Sequence, residues 1–450
     1  MKIAVCIKVI KGEINPFDES ALECALRLSN DVTVYSMGPQ STKETLLPLT
    51  RLGAKVCLIC DSLYAGSDTL ATSYILSKAL LDKDYDLILC GRQSIDGDTA
   101  QIGPMLSHRL GISLITNALS IEAENGNVLA KTRFGDEKAK LPALVTVERG
   151  YVLRFPSIFS RIGDMEIIGN EALECEPSRC GLNGSPTRVL EVFENERGKR
   201  KCKFISMEEL HPLVTELLKR ERIETKSEYK ENKLKSVWAV GTEVLEKAKE
   251  IADEVILIEE SEPQKIYELA IREKPDVILW NADLWGRKTA PQVAAMLETG
   301  LCADCTMLEA EGESLIMYRP AQGGNITAKI KCLTRPQMAT VRTKAESSDI
   351  IVSGGKGVSE SIERLEELAR VLGAETGASR GLVDMNKVSY DKQIGLTGKT
   401  VSPKIYIAIG ISGAIHHTCA IEGSTTVIAI NPDKNARIFE YADYGIVESF

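Results

Sequence analysis

Short apolar runs alternate with amphipathic stretches over the first 120 positions of the chain. The pattern predicts strands over Lys2–Ile10, Val32–Met37, Val56–Cys60 and Leu87–Cys90, separated by helices over Asp18–Ser29, Ser41–Leu52 and about Ser67–Leu81. Continuously apolar strands with helices between them mark a parallel sheet covered on both faces. Residues 117–149 read differently, as antiparallel strands around the turn signals Glu124-Asn125-Gly126 and Gly135-Asp136.

The pattern then returns. Asp86-Leu-Ile-Leu is matched by Asp276-Val-Ile-Leu and Thr99-Ala100 by Thr289-Ala290, both 190 residues further on. Leu106 falls against Met296, and the hairpin region Ser120–Lys138 against Leu308–Lys329. Two related α/β domains are therefore expected. A third α/β unit, from about Ile350 to Phe450, has no copy. The predicted boundaries are 1–193, with an extended arm from 150 onwards, a charged linker over 194–235, then 236–345 and 346–450. The linker carries 21 charged side chains in 42 positions. Within it, Ser206-Met-Glu-Glu209 is a capping-box pattern that opens an amphipathic helix reaching about Arg222.

Composition narrows the class. With 55 Lys and Arg against 64 Asp and Glu, the net charge is −9, which leaves no excess of cations to grip a nucleic acid. The longest largely apolar stretch, Ile405–Ile415, is 11 residues, far short of a membrane span. Lys8 interrupts the apolar run of the N-terminus, which reads as a buried strand and not as a secretory leader. Twelve cysteines in 450 residues are too dilute for a disulfide scaffold and read as reduced thiols of a cytoplasmic protein. Cys57/Cys60 and Cys302/Cys305 have CxxC spacing, but the strand period points the first pair to opposite faces and the second has no histidine or further pair nearby, so zinc is not expected unless the distant pairs meet.

The chemistry concentrates near the C-terminus. Lys404-Ile-Tyr-Ile-Ala-Ile-Gly410-Ile-Ser-Gly413-Ala-Ile-His416-His417 reads as a strand running through a glycine turn into a helix, where backbone N–H groups and a helix dipole favour an anion. Ser353-Gly-Gly-Lys356-Gly, Gly377-Ala-Ser379-Arg380-Gly and Gln393-Ile-Gly395-Leu-Thr397-Gly add three more such turns, each suited to close approach of backbone to a ligand. Together they point to nucleotide binding.

These motifs, with Ala429-Ile-Asn431 and Ala442-Asp-Tyr-Gly-Ile-Val447, stand in the order found in electron transfer flavoproteins, and Val352–Phe450 resembles the FAD-binding domain of that family's alpha subunit. Residues 236–345 resemble the same subunit's first domain. Residues 1–205 resemble the beta subunit through Asn15-Pro-Phe-Asp18, Ser36-Met-Gly-Pro39, the loop from Gly91 to Gln101, and Phe155-Pro156. The resemblance implies a beta–alpha fusion: two related adenine-nucleotide-hydrolase-like, Rossmann-type parallel-sheet domains and a third, doubly wound FAD-binding domain.

Carried onto this sequence, the resemblance places Lys356, Ser379 and Arg380 beside the flavin and its diphosphate. Gln393, Ile394, Gly395, Leu396 and Thr397 would cradle it, with Thr397 near N5. Ser412, Gly413, Ala414, Ile415, His416 and His417 would continue the wall, and Asn431 and Asp443 would serve the adenosine half. A flavin that gains an electron carries negative charge at its N1 and O2 edge, which a cation or donor at His417 or Arg380 would stabilise. Lys356, Leu396, His416 and Ser449 depart from the family's usual arginine, glutamines and aspartate. Lysine at 356 keeps the charge and loses the bidentate fork.

In the beta-like part the resemblance implies a second nucleotide, FAD or AMP. It would be lined by Cys6, Asn15, Pro16, Phe17, Asp18, Met37, Gly91, Gln93 and Asp96, together with Gly97, Asp98, Thr99, Ala100, Gln101 and Ile102. A helix beginning near Asp98 would offer its N–H groups to a phosphate, with Asp96 and Asp98 as caps or turn formers. Asp-Gly-Asp-Thr-Ala-Gln and Arg335-Pro-Gln-Met-Ala-Thr-Val-Arg342 resemble the bifurcating group, in which the second nucleotide is FAD, NADH is the electron donor and Arg342 lies near the second flavin. Phe155 would anchor a flavoprotein dehydrogenase of the acyl-CoA dehydrogenase type, and ferredoxin would be the further partner of a bifurcating protein. The expected function is electron transfer, and enzymatic NADH oxidation follows only for the bifurcating case. The rival reading is an AMP- or ATP-binding regulatory protein without redox activity.

Overall fold

The computed structural model describes residues 1–194, 200–219, 234–322, 326–343, 348–395, 398–421 and 424–450. They cluster into two units: one on residues 1–192, 234–322 and 328–341, the other on 193–194, 200–219, 326–327 and the described part of 342–450.

The first unit contains both members of the repeat. Its larger sheet has the strand order Glu166–Ile168, Lys55–Ile59, Asp31–Met37, Lys2–Cys6, Leu87–Gly91, Ala143–Val147, Ser113–Glu124, Asn127–Thr132, Gly135–Lys140. The first seven are parallel. The last two extend Ser113–Glu124 as an antiparallel meander. The expectation of antiparallel strands throughout 117–149 therefore needs correction. Ala143–Val147 is buried along its whole length and inserts between Leu87–Gly91 and Ser113–Glu124, parallel to both, as a strand apolar on both faces must.

Two other elements differ from the pattern reading. The first strand stops at Cys6 and the chain peels off the sheet; Val9–Ile10 pairs with Glu13–Ile14 around Gly12, whose φ of 85° suits glycine. Ser41–Leu52 is a single α-turn, Lys43–Leu46, between two 3-10 segments, because Pro48 removes an N–H from the ladder.

The smaller sheet runs Val255–Ile258, Val237–Val240, Val277–Asn281, Gln337–Val341, Leu301–Cys305, all parallel. This is the order of the central five strands of the larger sheet. The likeness reaches atomic detail: register breaks at Val145/Val147 and at Cys302/Cys305. At each break a left-handed residue donates its N–H to a threonine hydroxyl, Asn117 to Thr146 at 2.9 Å and Asp304 to Thr340 at 2.8 Å. Helices Ile102–Leu110 and Leu284–Met296, equivalent in the two repeats, pack on one another, and Arg109 Nη1 meets Glu298 Oε1 at 2.9 Å.

The second unit is a seven-stranded parallel sheet in the order Lys203–Phe204, Tyr444–Ile446, Thr426–Ile430, Ile405–Ile409, Ile350–Gly354, Glu375–Ser379, Gln393–Ile394. Its edge strand and one of its helices come from the charged segment. The Ser206–Glu209 capping box forms, and Leu210–Lys219 follows it with Leu210, Val214 and Leu217 buried in the core of this unit. Among the described residues no helix is long and apolar enough to cross a membrane.

Candidate nucleotide sites

In the larger sheet the chain builds outward from Lys2–Cys6 and then returns to its other side at Leu87–Gly91. Open parallel sheets bind ligands at such a switch point, outside the carboxyl ends of the strands. A cavity of about 380 Å³ lies there, with Cys6 and Cys90 in its wall. Of the residues expected around a second nucleotide, Cys6, Asn15, Asp18, Met37, Gly91 and Gln93 line it. So do Gly97, Thr99, Ala100, Gln101 and Ile102.

Asp18 ties the two sides of the switch point together. Its carboxylate accepts the Lys8 N–H at 2.7 Å and the Gly91 N–H at 3.0 Å. Gly91 has to be glycine, since a Cβ there would stand 2.2 Å from Asp18 Oδ1 and 2.7 Å from the backbone of Phe17. Burial pushes the Asp18 carboxyl up to about 7, against the opposing pull of the Lys8, Asn15 and Gly91 donors.

The loop from Arg92 to Gln101 is pinned on several sides. Asn15 Nδ2 donates to the Gln93 carbonyl at 2.9 Å, Gln93 Nε2 to Asp98 Oδ1 at 2.9 Å, and Lys8 pairs with Asp96 at 2.7 Å. Asp98 and Ala100 both lie in the left-handed region, at φ 52° and 55°. The helix starts at Ile102 with Gln101 as its N-cap, later than the expected start near Asp98. Asp96 and Asp98 therefore do not cap it. Left-handed backbone at 98 and 100 cannot continue into a helix, so Thr99 and Ala100 line the cavity from a strained loop and not from a helix N-terminus.

Pro16 and Phe17 open helix Pro16–Leu28 behind Gly91, and like Asp96 and Asp98 they do not line the cavity. Arg342 is not in the lining and belongs to the second unit. The lining also holds residues outside the expected set, including Ser67, Asp68, Thr69, Leu301, Cys302 and Arg319. Asp68-Thr69 had a legible signal, an aspartate before a helix: it caps Thr69–Leu80 by accepting from Leu70 and Ala71. Leu301, Cys302 and Arg319 come from the second repeat and had none. Gln101 joins the repeats, accepting from Thr69 Oγ1 at 2.6 Å and donating to the Leu301 carbonyl at 3.0 Å.

In the second unit the switch point lies between Ile350–Gly354 and Ile405–Ile409, and the four glycine turns gather at the carboxyl ends of their strands. The glycines serve the chain's own packing. A Cβ at Gly355 would stand 2.1 Å from the Gly410 carbonyl, one at Gly413 2.2 Å from the Ile438 nitrogen, and one at Gly398 2.2 Å from the Gln393 carbonyl. Gly395 approaches the His416 carbonyl in the same way, and Gly381 leaves room for the Lys356 stem. Close glycine contacts thus lock the turns into one rim. Lys356, Ser412, Ala414 and His416 are exposed on it, and Ser379, Arg380 and Ile415 half-buried. That donor-rich, solvent-open rim fits an anionic dinucleotide. Arg380 Nε lies 3.3 Å from Asp384 Oδ2.

His417 faces inward. Its Nδ1 lies 3.0 Å from the Ile394 carbonyl and its Nε2 2.8 Å from Tyr406 Oη. A carbonyl only accepts, so Nδ1 carries the proton and Nε2 accepts from tyrosine. Burial drops the imidazole to about 4, so it is neutral near pH 7. Position 417, where a cation or a donor is expected, holds a neutral ring whose nitrogens are both engaged within the fold. The expected helix dipole also shrinks, because Ile415–Thr418 is a single turn. Asn431 Nδ2 donates to the Ile411 carbonyl at 3.0 Å, and Asp443 is ion-paired with Arg200 and accepts the Val427 N–H at 2.8 Å, so both tie the fold together. Gln393 and Ile394 are buried. Leu396 and Thr397 lie outside the described residues.

Comparison with known families is consistent with this architecture. The electron transfer flavoprotein domain matches residues 3–152 and 236–366, and the electron transfer flavoprotein FAD-binding domain matches 344–422. The chain is 42 % identical over 229 residues to electron transfer flavoprotein subunit alpha of Thermoanaerobacterium thermosaccharolyticum, covering 40 % of this chain and 69 % of that protein. It is 39 % identical over 252 residues to Protein FixB of Clostridium saccharobutylicum, covering 44 % and 75 %, and 35 % identical over 253 residues to Protein FixB of Azotobacter vinelandii, covering 45 % and 70 %. With one domain of the family matched twice, over more than half its length, the chain belongs to the electron transfer flavoprotein family.

Proposed function

We propose that this chain is a single-chain electron carrier in which a beta-like part, residues 1–193, and an alpha-like part, 236–345 and 346–450, are joined through 194–235. The observation that carries the reading is the gathering of four glycine turns at the switch point of the second unit, within and beside the residues matched by the FAD-binding domain. FAD, when bound, supplies reversible electron uptake. Lys356, Ser379 and Arg380 would hold its diphosphate and ring edge, the rim from Ser412 to His416 would cover it, and His417 would position the Ile394 segment.

The cavity of the first unit would take the second nucleotide. At about 380 Å³ it stands at the small end of ligand pockets, which supports AMP over a second FAD. NADH-driven bifurcation to ferredoxin requires the FAD outcome. Phe155 is 95 % exposed, with Ile158 and Phe159 also projecting into solvent, and this apolar cluster supports docking of a flavoprotein dehydrogenase.

The test is a visible spectrum followed by acid release of bound nucleotides and their separation by chromatography. One FAD and one AMP per chain is the expected result. Two FAD per chain, bleached by NADH, would establish the bifurcating alternative. A colourless protein that FAD cannot reconstitute would overturn the flavoprotein reading in favour of a nucleotide-binding regulator.

A further inference from the structure

The cavity of the first unit contains a buried cation without a counter-charge. Arg319 sits on strand Ser314–Ala321 of the second repeat, lines the cavity and is only 5 % exposed. Its Nη1 donates to the Gly97 carbonyl at 2.7 Å and its Nη2 to the Asp98 carbonyl at 3.2 Å. These are neutral acceptors. Nε is buried without a hydrogen-bond partner, and among the described residues the guanidinium makes no ion pair. A desolvated guanidinium whose hydrogen bonds go only to carbonyls, with the buried Cys302 and Cys305 thiols as its other polar neighbours, is costly, and an anion is the group that offsets the cost.

The two carboxylates in the same wall do not provide it. Asp18 is directed at the Lys8 and Gly91 N–H groups. Asp68 is directed at Leu70 and Ala71 through one oxygen and at the Thr187 N–H and hydroxyl through the other. The charge of Arg319 is thus left for something inside the cavity. The same side chain also holds the Gly97 and Asp98 carbonyls, at the start of the left-handed stretch of the loop.

We propose that Arg319 is the anion-binding residue of this cavity and takes the phosphoryl group of a nucleoside phosphate. The site is then shared between the two repeats: the first supplies the switch point and the loop, the second supplies the charge. The proposal rests on the reading of the cavity as a nucleotide site.

The experiment titrates the full chain, stripped of nucleotide, with AMP and with adenosine, in the wild type and in Arg319→Gln and Arg319→Lys. The difference between two proteins toward the same ligand isolates this cavity from the FAD site. The wild type should prefer AMP to adenosine. Arg319→Gln should cut that preference by at least about tenfold, the size of one lost charge-assisted contact, while adenosine binding changes little. Arg319→Lys, which keeps the charge, should restore part of it. Equal weakening of AMP and adenosine by Arg319→Gln would make the arginine a structural clamp and overturn the proposal, as would an unchanged preference. A wild type that binds neither ligand here would instead overturn the nucleotide reading of the cavity, and the role of Arg319 with it.

Discussion

Tyr406 Oη lies 2.8 Å from His417 Nε2, inside the second unit, and the proton on that bond belongs to the tyrosine. The ring is held neutral between a hydroxyl and the Ile394 carbonyl, which connects the Ile405–Ile409 strand to the Gln393–Ile394 edge of the same sheet. A family position that invites a cationic role is here part of the scaffold beneath the glycine rim.

The arrangement has a pH signature. The folded imidazole, at about 4, lies below its ordinary value of 6.5, so the unfolded chain binds more protons in between. Stability of the second unit is complete above pH 6.5 and falls as pH drops towards 4, by on the order of 3 kcal/mol from this group. Urea midpoints measured from pH 4.5 to 7.5 should show this slope in the wild type and a shallower one in His417→Gln. Equal slopes would refute the neutral ring.

Asp18 predicts the opposite sign in the first unit. Its folded carboxyl, at about 7, lies above the ordinary 3.8, so the folded state binds more protons between those values. Its contribution is complete below pH 4 and is lost as pH rises through 7, up to about 4 kcal/mol. Asp18→Asn in nucleotide-free protein should flatten the decline between pH 5 and 8, read by thermal melts that follow this unit.

Gly91→Ala tests the switch point directly. The added methyl meets Asp18 Oδ1 at 2.2 Å and the Phe17 backbone at 2.7 Å, and neither can move without breaking the Gly91 and Lys8 hydrogen bonds. A destabilisation of about 1–3 kcal/mol is expected, with loss of the second nucleotide if the first unit holds the one proposed for it. FAD content of the C-terminal domain should be unchanged, which chromatography of acid-released nucleotides will show.

Phe155→Ser combined with Phe159→Ser removes two apolar side chains that project almost wholly into solvent. Melting temperature and nucleotide content should stay as in the wild type. The rate of flavin reduction by a reduced acyl-CoA dehydrogenase should fall at least tenfold if the pair anchors the complex. An unchanged rate would place docking elsewhere.

Much of this organisation is legible in the chain. The 190-residue repeat announces two sheets of one design, and the structure repeats even the Asn117–Thr146 contact as Asp304–Thr340. The glycine turns mark the rim of the second unit because glycine is required wherever two backbones touch, as at Gly355 and Gly410. The lining of the first cavity is legible where it comes from one loop, Gly91 to Gln101.

Other features were decided only by the tertiary structure. The insertion of Ala143–Val147 between two earlier strands depends on which neighbours bury it, and local periodicity carries no such information. The inward turn of His417 follows from a carbonyl 23 residues away. Arg319 stands in phase with Met317 and Ala321 on the buried face of its strand, but the local pattern does not say that it meets Gly97, 222 positions away, at the wall of a cavity. Sequence determines local backbone preference and the periodicity of burial. Which charge enters which cavity is set by long-range packing, because the free energy of a buried ion depends on the groups that the fold brings around it.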